Sequence, residues 1–169
     1  SREFEIAELE YFAKPGTDDE WFEKWLNDWE KFYLEDLGIK KEHLRRYEHP
    51  KESLAHYSKR TVDLEYQFPF GWGEVAGVAN RTDYDLKRHA EFSKKELGVF
   101  DEATKATYVP YVIEPTLGVD RAFVTCLVDS YEEIQGGRTT TTDSNKEQEV
   151  VLHLPKALAP YQVAILPLS

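Results

Sequence analysis

The stretch VIEPTLGVDR, Val112 to Arg121, joins the most apolar part of this chain to a helical pattern. YVPYVI (Tyr108 to Ile113) leads in as an apolar strand, and Ala122–Ser130 leads out with helical spacing. A carboxylate, Glu114, and a guanidinium, Arg121, flank that junction. Burying charge costs free energy unless a partner or a ligand meets it. The stretch therefore carries either an ion pair between Glu114 and Arg121 or a charged ligand held at a strand-to-helix turn.

Composition narrows the choice. The 169 residues suffice for one domain with a real core. No long apolar run is free of charge and no basic-then-apolar opening is visible, so neither a membrane span nor a signal peptide is expected. A lone Cys126 excludes an internal disulfide and a thiolate zinc cluster, which suits the cytoplasm. The five histidines are scattered without paired ligand spacing. The absence of Met and the initial Ser read as a piece of a longer or processed protein. A net charge of −11 argues against DNA as a partner. That charge is uneven: residues 1–36 carry twelve Asp and Glu against four Lys and Arg, whereas residues 39–60 carry seven Lys and Arg against three Glu. The second stretch faces either phosphates or solvent.

Along the chain, SREFEIAELEYFA alternates like a strand but holds four glutamates. Thr17 to Glu20 reads as a capping box for an amphipathic helix whose core stripe is Trp21, Trp25, Trp29 and Tyr33, ended by Gly38. Pro50–Tyr57 reads as a short helix, TVDLEYQFPF as a strand, and the segment with Gly71, Gly73 and Gly77 as a small-residue strand that something approaches closely. A helix over residues 83–99 follows, then the apolar strand, a turn at EPTLGVDR and the helix to Ser130. GGRTTTTDSNKE reads as a surface loop; EVVLHLP and the terminal VAILPLS read as strands. This order implies an α+β fold with a mostly antiparallel sheet flanked by helices, lined by Glu8, Glu74 and Glu114 with an arginine at a helix start. Such a set suits a small cationic ligand beside an anionic one.

Three segments in order resemble the class II aminoacyl-tRNA synthetases, in particular the dimeric type of glycyl-tRNA synthetase: REFEIAELEYF (Arg2–Phe12) the returning strand of motif 2, GWGEVAGVANRTDYDLKRH (Gly71–His89) the GWGE segment, and YVIEPTLGVDR (Tyr111–Arg121) motif 3. The resemblance implies a partial class II catalytic domain over residues 1–153, with residues 154–169 linking into the first strand of an anticodon-binding domain. It implies ATP and Mg²⁺ as cofactors, glycine and tRNA(Gly) as partners, and a homodimer in the full-length protein. By the same resemblance Arg121 and Glu74 are catalytic. ATP would be bound by Arg2, Glu3, Phe4, Glu74, Val75, Gly118, Val119, Asp120 and Arg121, with adenine stacked between Phe4 and Arg121 and Glu74 holding the nucleotide's magnesium. Glycine would sit among Phe4, Glu5, Ile6, Ala7, Glu8, Glu114, Pro115, Thr116, Leu117 and Gly118, its ammonium on Glu8 and Glu114.

Two departures stand out. Thr116 replaces the family's usual Ser, keeping the hydroxyl and adding a methyl group. Motif 1 and the opening half of motif 2, with its α-phosphate-binding arginine, are missing, so the resemblance implies a fragment that is inactive or very weak by itself. The alternatives are a synthetase-like binding module that has lost catalysis and an unrelated acidic structural domain. Glu8, Glu74, Glu114 and Arg121 all being present favours the enzyme.

Overall fold

The structure is a computed structural model that describes residues 4–136 and 148–167. Arg2, Glu3 and nearly all of the GGRTTTTDSNKE segment lie outside the described residues. The chain is α+β, as its element order implies. Strands β1 (Ile6–Glu8), β2 (Tyr11–Ala13), β3 (Leu44–Glu48), β4 (Arg60–Phe68), β5 (Gly71–Thr82) and, after two short strands β6 (Val99–Asp101) and β7 (Ala106–Tyr108), β8 (Tyr111–Gly118) build the fold. Six of them form one antiparallel sheet in the order β1-β8-β5-β4-β3, with β2 also on β8. Strands β6 and β7 make a separate hairpin, as do β9 (Tyr131–Gln135) and β10 (Gln148–Leu152).

Alternation along β4 sends Val62, Leu64 and Tyr66 to one face and Thr61, Asp63 and Glu65 to the other. The first face is covered by helices α1 (Asp18–Lys31) and α3 (Val119–Ser130). Phe22 and Leu26 of α1, Ala122 and Cys126 of α3, and Leu64, Val78 and Ile113 of the sheet belong to one buried cluster. Tyr33 is fully buried and its hydroxyl donates to the Val75 carbonyl at 3.0 Å. The tryptophan stripe flanks this core instead of forming it: Trp21, Trp25 and Trp29 are half-buried, while Phe22 and Leu26, one residue on from Trp21 and Trp25, are sealed. A shift of about 100° per residue turns the indoles toward the rim of the helix-sheet interface.

Other elements differ from the sequence reading in definite ways. Thr17 forms no side-chain cap; its hydroxyl donates to Lys14 O, and Asp18 is the residue that anchors the helix start. Asp18 is buried, accepting from Lys59 Nζ at 2.8 Å and from Asn80 Nδ2 at 2.7 Å. After Lys31 the helix widens into a π turn over Phe32–Asp36, and Gly38, at φ +67°, ends it. Pro50–Tyr57 holds only a single 3₁₀ turn, Lys51–Ser53. Helix α2 (Tyr84–Ser93) stops at Lys94, which takes a left-handed φ of 59°, short of the expected end. EPTLG is strand throughout, because β1 and β5 pair with it on both sides; the helix begins only at Val119. A proline cannot donate to a ladder, and the edge strand breaks into β1 and β2 opposite Pro115, leaving the Leu9 N to Pro115 O bond at 3.0 Å. Residues 163–167 of VAILPLS are irregular, with Ile165 94% exposed.

The basic stretch faces protein. Arg45 pairs with Glu65, Arg46 with Glu30, Lys59 with Asp18 and Asp19, and Arg60 with Glu23 and Glu48. Arg46, Lys59 and Arg60 of the basic segment thus pair with acidic residues of the segment 1–36 across α1, β3 and β4.

Candidate active site

The uncovered face of the sheet carries the carboxylates. Residues directly opposed across antiparallel strands share a face, and one such row runs Glu8, Thr116, Gly77, Asp63 from β1 through β8 and β5 to β4. Glu114 and Gly118 lie two residues either side of Thr116 along β8, on that same face. Gly77, which has no side chain, and Ala79, with only a methyl group, leave a hollow there.

Two irregularities in β5 aim side chains into it. The β4–β5 register slips at Leu64/Glu65, so that Val75 is the extra residue beside Glu74. Val75 and Ala76 are consequently both buried, and Glu74 turns outward. The β5–β8 register slips between Asn80 and Thr82, leaving Arg81 as the extra residue and Thr82 at φ 56°. Arg81 thereby reaches across to β8: its Nη1 lies 2.8 Å from both oxygens of Glu114, and its Nε lies 2.6 Å from Asp85. The guanidinium sits over the Tyr57 ring at 4.2 Å.

The resulting hollow is a cavity of about 270 Å³ whose walls include Asp63, Glu74, Gly77, Glu114 and Thr116. Arg81 does not cancel its acidity, because the guanidinium is shared between Glu114 and Asp85 while Asp63 and Glu74 also line the hollow. Glu10 stands behind Glu114, outside these walls. Desolvation, then the neighbouring Glu114 carboxylate, push the Glu10 carboxyl up to about 7. A surplus of carboxylates around one small space suits a compact cation such as a primary ammonium.

A second cavity, of about 800 Å³, adjoins the first and shares Glu74 with it. Its walls include Phe4, Phe68, Phe70, Arg121 and Val124. Phe68 and Phe70 stack with planes 5° apart, and Phe70 is 83% exposed. Arg121 lies over the Phe4 ring at 5.9 Å and donates to the Glu74 carbonyl at 2.9 Å. Aromatic faces with a guanidinium suit a flat heteroaromatic group bearing phosphate. Glu114 and Arg121 therefore do not pair with each other: Glu114 takes Arg81 and Arg121 takes Glu74.

The remaining expected residues fall as follows. Glu8 shares the row with Thr116, while Ala7 and Leu117 oppose one another with the reverse parity, the helix-covered side. Pro115 is fully buried and Val75 is turned into the core. Asp120, in the first turn of α3, accepts from Glu5 N at 2.7 Å, and Val119 N donates to Glu5 O, tying β1 to the helix start. A Cβ at Gly118 would stand 3.2–3.3 Å from the Arg121 side chain, so this glycine makes room for the arginine stem as much as for any ligand. Ile6, opposite Gly118, is on the open face and half exposed. Arg81, Glu10, Asp63, His49 and Tyr57 went unassigned in the sequence. Arg81 lies inside the GWGE segment, but nothing local announces the bulge that aims it.

An antiparallel sheet with one helix-covered face, and a ligand-sized hollow on the other, is the fold of the class II aminoacyl-tRNA synthetase core. Among solved structures it is similar to seryl-tRNA synthetase from Pyrococcus horikoshii complexed with ATP, with a TM-score of 0.64 and 20% identity, over 78% of this chain and 29% of that one. No family model matches. Over its whole length the chain is homologous to a segment of the glycine–tRNA ligases. It is 50% identical to that of Thermobifida fusca (strain YX), 54% to that of Clostridium tetani and 49% to that of Geobacillus thermodenitrificans. In these matches all of this chain covers 34–36% of the relative, so it spans about a third of the length of the curated relatives it matches.

Proposed function

We propose that this chain forms the glycine- and ATP-binding part of a glycine–tRNA ligase. In the first step a carboxylate oxygen of glycine attacks the α-phosphorus of ATP. The bond from that phosphorus to its bridging oxygen breaks, pyrophosphate leaves, and glycyl-adenylate forms. In the second step a terminal ribose hydroxyl of tRNA(Gly) attacks the glycyl carbonyl and AMP leaves. The observation that carries the reading is the pair of adjoining cavities, one acidic and small, one aromatic, meeting at Glu74. An aminoacyl-adenylate needs an amine site and a purine site side by side.

Glu114 and Thr116 of the acidic cavity receive the amine end, with Glu8 opposite Thr116 but outside the cavity walls, and Phe4 and Arg121 of the aromatic cavity receive the adenine. The protein supplies position and charge rather than covalent chemistry. Among the described residues no group of three or more His, Cys, Asp or Glu is arranged to hold a metal by itself. Glu74 alone offers one hard oxygen, which fits a magnesium ion that arrives on the nucleotide and keeps phosphate and water as its other ligands. Selectivity would come from the space over Gly77, where Asp63 Oδ1 and Thr116 Oγ1 close in from the two neighbouring strands.

The rest of the reading rests on homology: a homodimer in the full-length protein, a cytoplasmic location, a catalytic domain over residues 1–153 and a link over residues 154–169 into an anticodon-binding domain. No helix among the described residues is long and apolar enough to cross a membrane. Glycine-dependent exchange of pyrophosphate into ATP by the full-length protein tests the proposal. Exchange is expected with glycine and not with alanine; no exchange with any amino acid would overturn it.

A further inference from the structure

The loop from His49 to Lys59, between β3 and β4, holds two walls of the acidic cavity from its two ends. At its start, His49 Nε2 lies 2.7 Å from Asp63 Oδ2. An ionised carboxylate only accepts, so the imidazole donates there. Toward its end, the Tyr57 ring lies under the Arg81 guanidinium, which grips Glu114. Between them Ser53, Leu54 and Ala55 rim the same cavity.

Asp63 closes the far side of the hollow. A Cβ built on Gly77 would lie 3.2 Å from Asp63 Oδ1 and 3.5 Å from Thr116 Oγ1. These two oxygens therefore face the space above the glycine from opposite strands and set its depth. With Oδ2 engaged by His49, Oδ1 is the oxygen that borders the cavity.

We propose that His49 is a positioning residue: it holds Asp63 so that Oδ1 forms the back wall of the amine pocket, both accepting from a primary ammonium and denying space to a side chain on the neighbouring carbon. The inference rests on the reading that the pocket takes glycine. His49 acts through Asp63, and neither residue lines the aromatic cavity. Its effect is thus confined to the amino acid. The loop keeps its attachment without the imidazole, because His49 N donates to Thr61 O at 3.0 Å and that bond needs no side chain.

The test uses the full-length protein and pyrophosphate exchange, with His49→Leu, His49→Gln and Asp63→Asn. Wild-type exchange with glycine first establishes the pocket's substrate; its absence would remove that reading and this inference together. Given it, His49→Leu is expected to raise the glycine KM about tenfold, the loss of roughly one oriented charge-assisted hydrogen bond. The ATP KM stays within about twofold, and alanine-dependent exchange rises as the wall loosens. His49→Gln, whose amide donates from a similar reach, restores most of the glycine KM. Asp63→Asn keeps shape and removes charge, so it carries the test if His49→Leu folds poorly, and it too must raise the glycine KM selectively. An unchanged glycine KM in both His49→Leu and Asp63→Asn, or glycine and ATP KM values rising together, overturns the proposal and leaves the wild-type reading standing.

Discussion

The two faces of the central sheet are made from alternate residues of the same strands, yet they solve opposite problems. Under the helices, Val62, Leu64, Val78 and Ile113 fill space completely. On the open side, Thr61, Asp63, Gly77, Ala79, Glu114 and Thr116 leave space and line it with charge. Apolar burial stabilises the first face by roughly 1.5–3 kcal/mol per large side chain. The second face gathers like charges, which oppose folding, and depends on Arg81 and His49 to hold them. Stability and ligand binding are thereby segregated by a period of two.

The largest effect that tests this division is Leu64→Ala. It should cost about 2–5 kcal/mol of stability through transfer and cavity terms, while exchange per folded molecule stays unchanged. Denaturant unfolding with active-site-normalised rates checks it, and a selective loss of glycine affinity would break the division. On the open face, Glu8→Gln should do the reverse. On the proposed reading it removes a charge facing the ammonium, at a cost on the order of 2–3 kcal/mol, a fall of roughly 30- to 150-fold in glycine kcat/KM, with the ATP KM and the melting temperature nearly constant. Wild-type glycine dependence in this variant would take Glu8 out of the site.

A smaller effect separates the faces by pH. Burial alone would raise the Asp18 pKa, but hydrogen bonds from Lys59 and Asn80 more than offset it and hold the carboxyl below its usual value. Asp18 therefore stabilises the fold above its unfolded pKa, and that contribution is lost as pH falls through the acid range. Glu10 behaves oppositely. Its raised pKa means that the folded chain binds this proton more tightly than the unfolded one from about 4.5 to about 7, so stability declines as pH rises through that window. Melting temperatures of Glu10→Gln should lack that decline; a slope identical to wild type would show that burial and Glu114 do not raise the Glu10 pKa. Last and smallest, Lys31→Ala removes an exposed pair with Glu35, both side chains about two-thirds exposed. It should change stability by no more than about 0.5 kcal/mol by chemical denaturation.

Several features were legible because they are local. Alternation in TVDLEYQF gave β4 and its two faces, helical spacing gave α1 and α3, and Gly38 marked the end of the first helix. The three ordered segments that resemble the synthetases brought Glu74, Glu114 and Arg121 forward as site residues, and the structure puts them on the walls of two adjoining cavities. Thr17 misled because a hydroxyl before a helix can serve the preceding turn as readily as the helix, and here it bonds Lys14 O. The β6–β7 hairpin was hidden by a run of helix-compatible residues that Lys94 interrupts with a backbone conformation no side chain advertises.

Period and charge along the chain determined by themselves that one sheet face is apolar and the other carries carboxylates, since side-chain direction in a strand follows position alone. Which charge meets which was decided only in three dimensions. Glu114 found Arg81 instead of Arg121 because a bulge at the far end of β5 added one residue to the register, and Asp63 found His49 because β3 and β4 pair antiparallel across a loop. A register slip changes no composition and leaves no periodic trace, but it turns every side chain beyond it by half a period. The identity of the partners therefore belongs to the packed sheet.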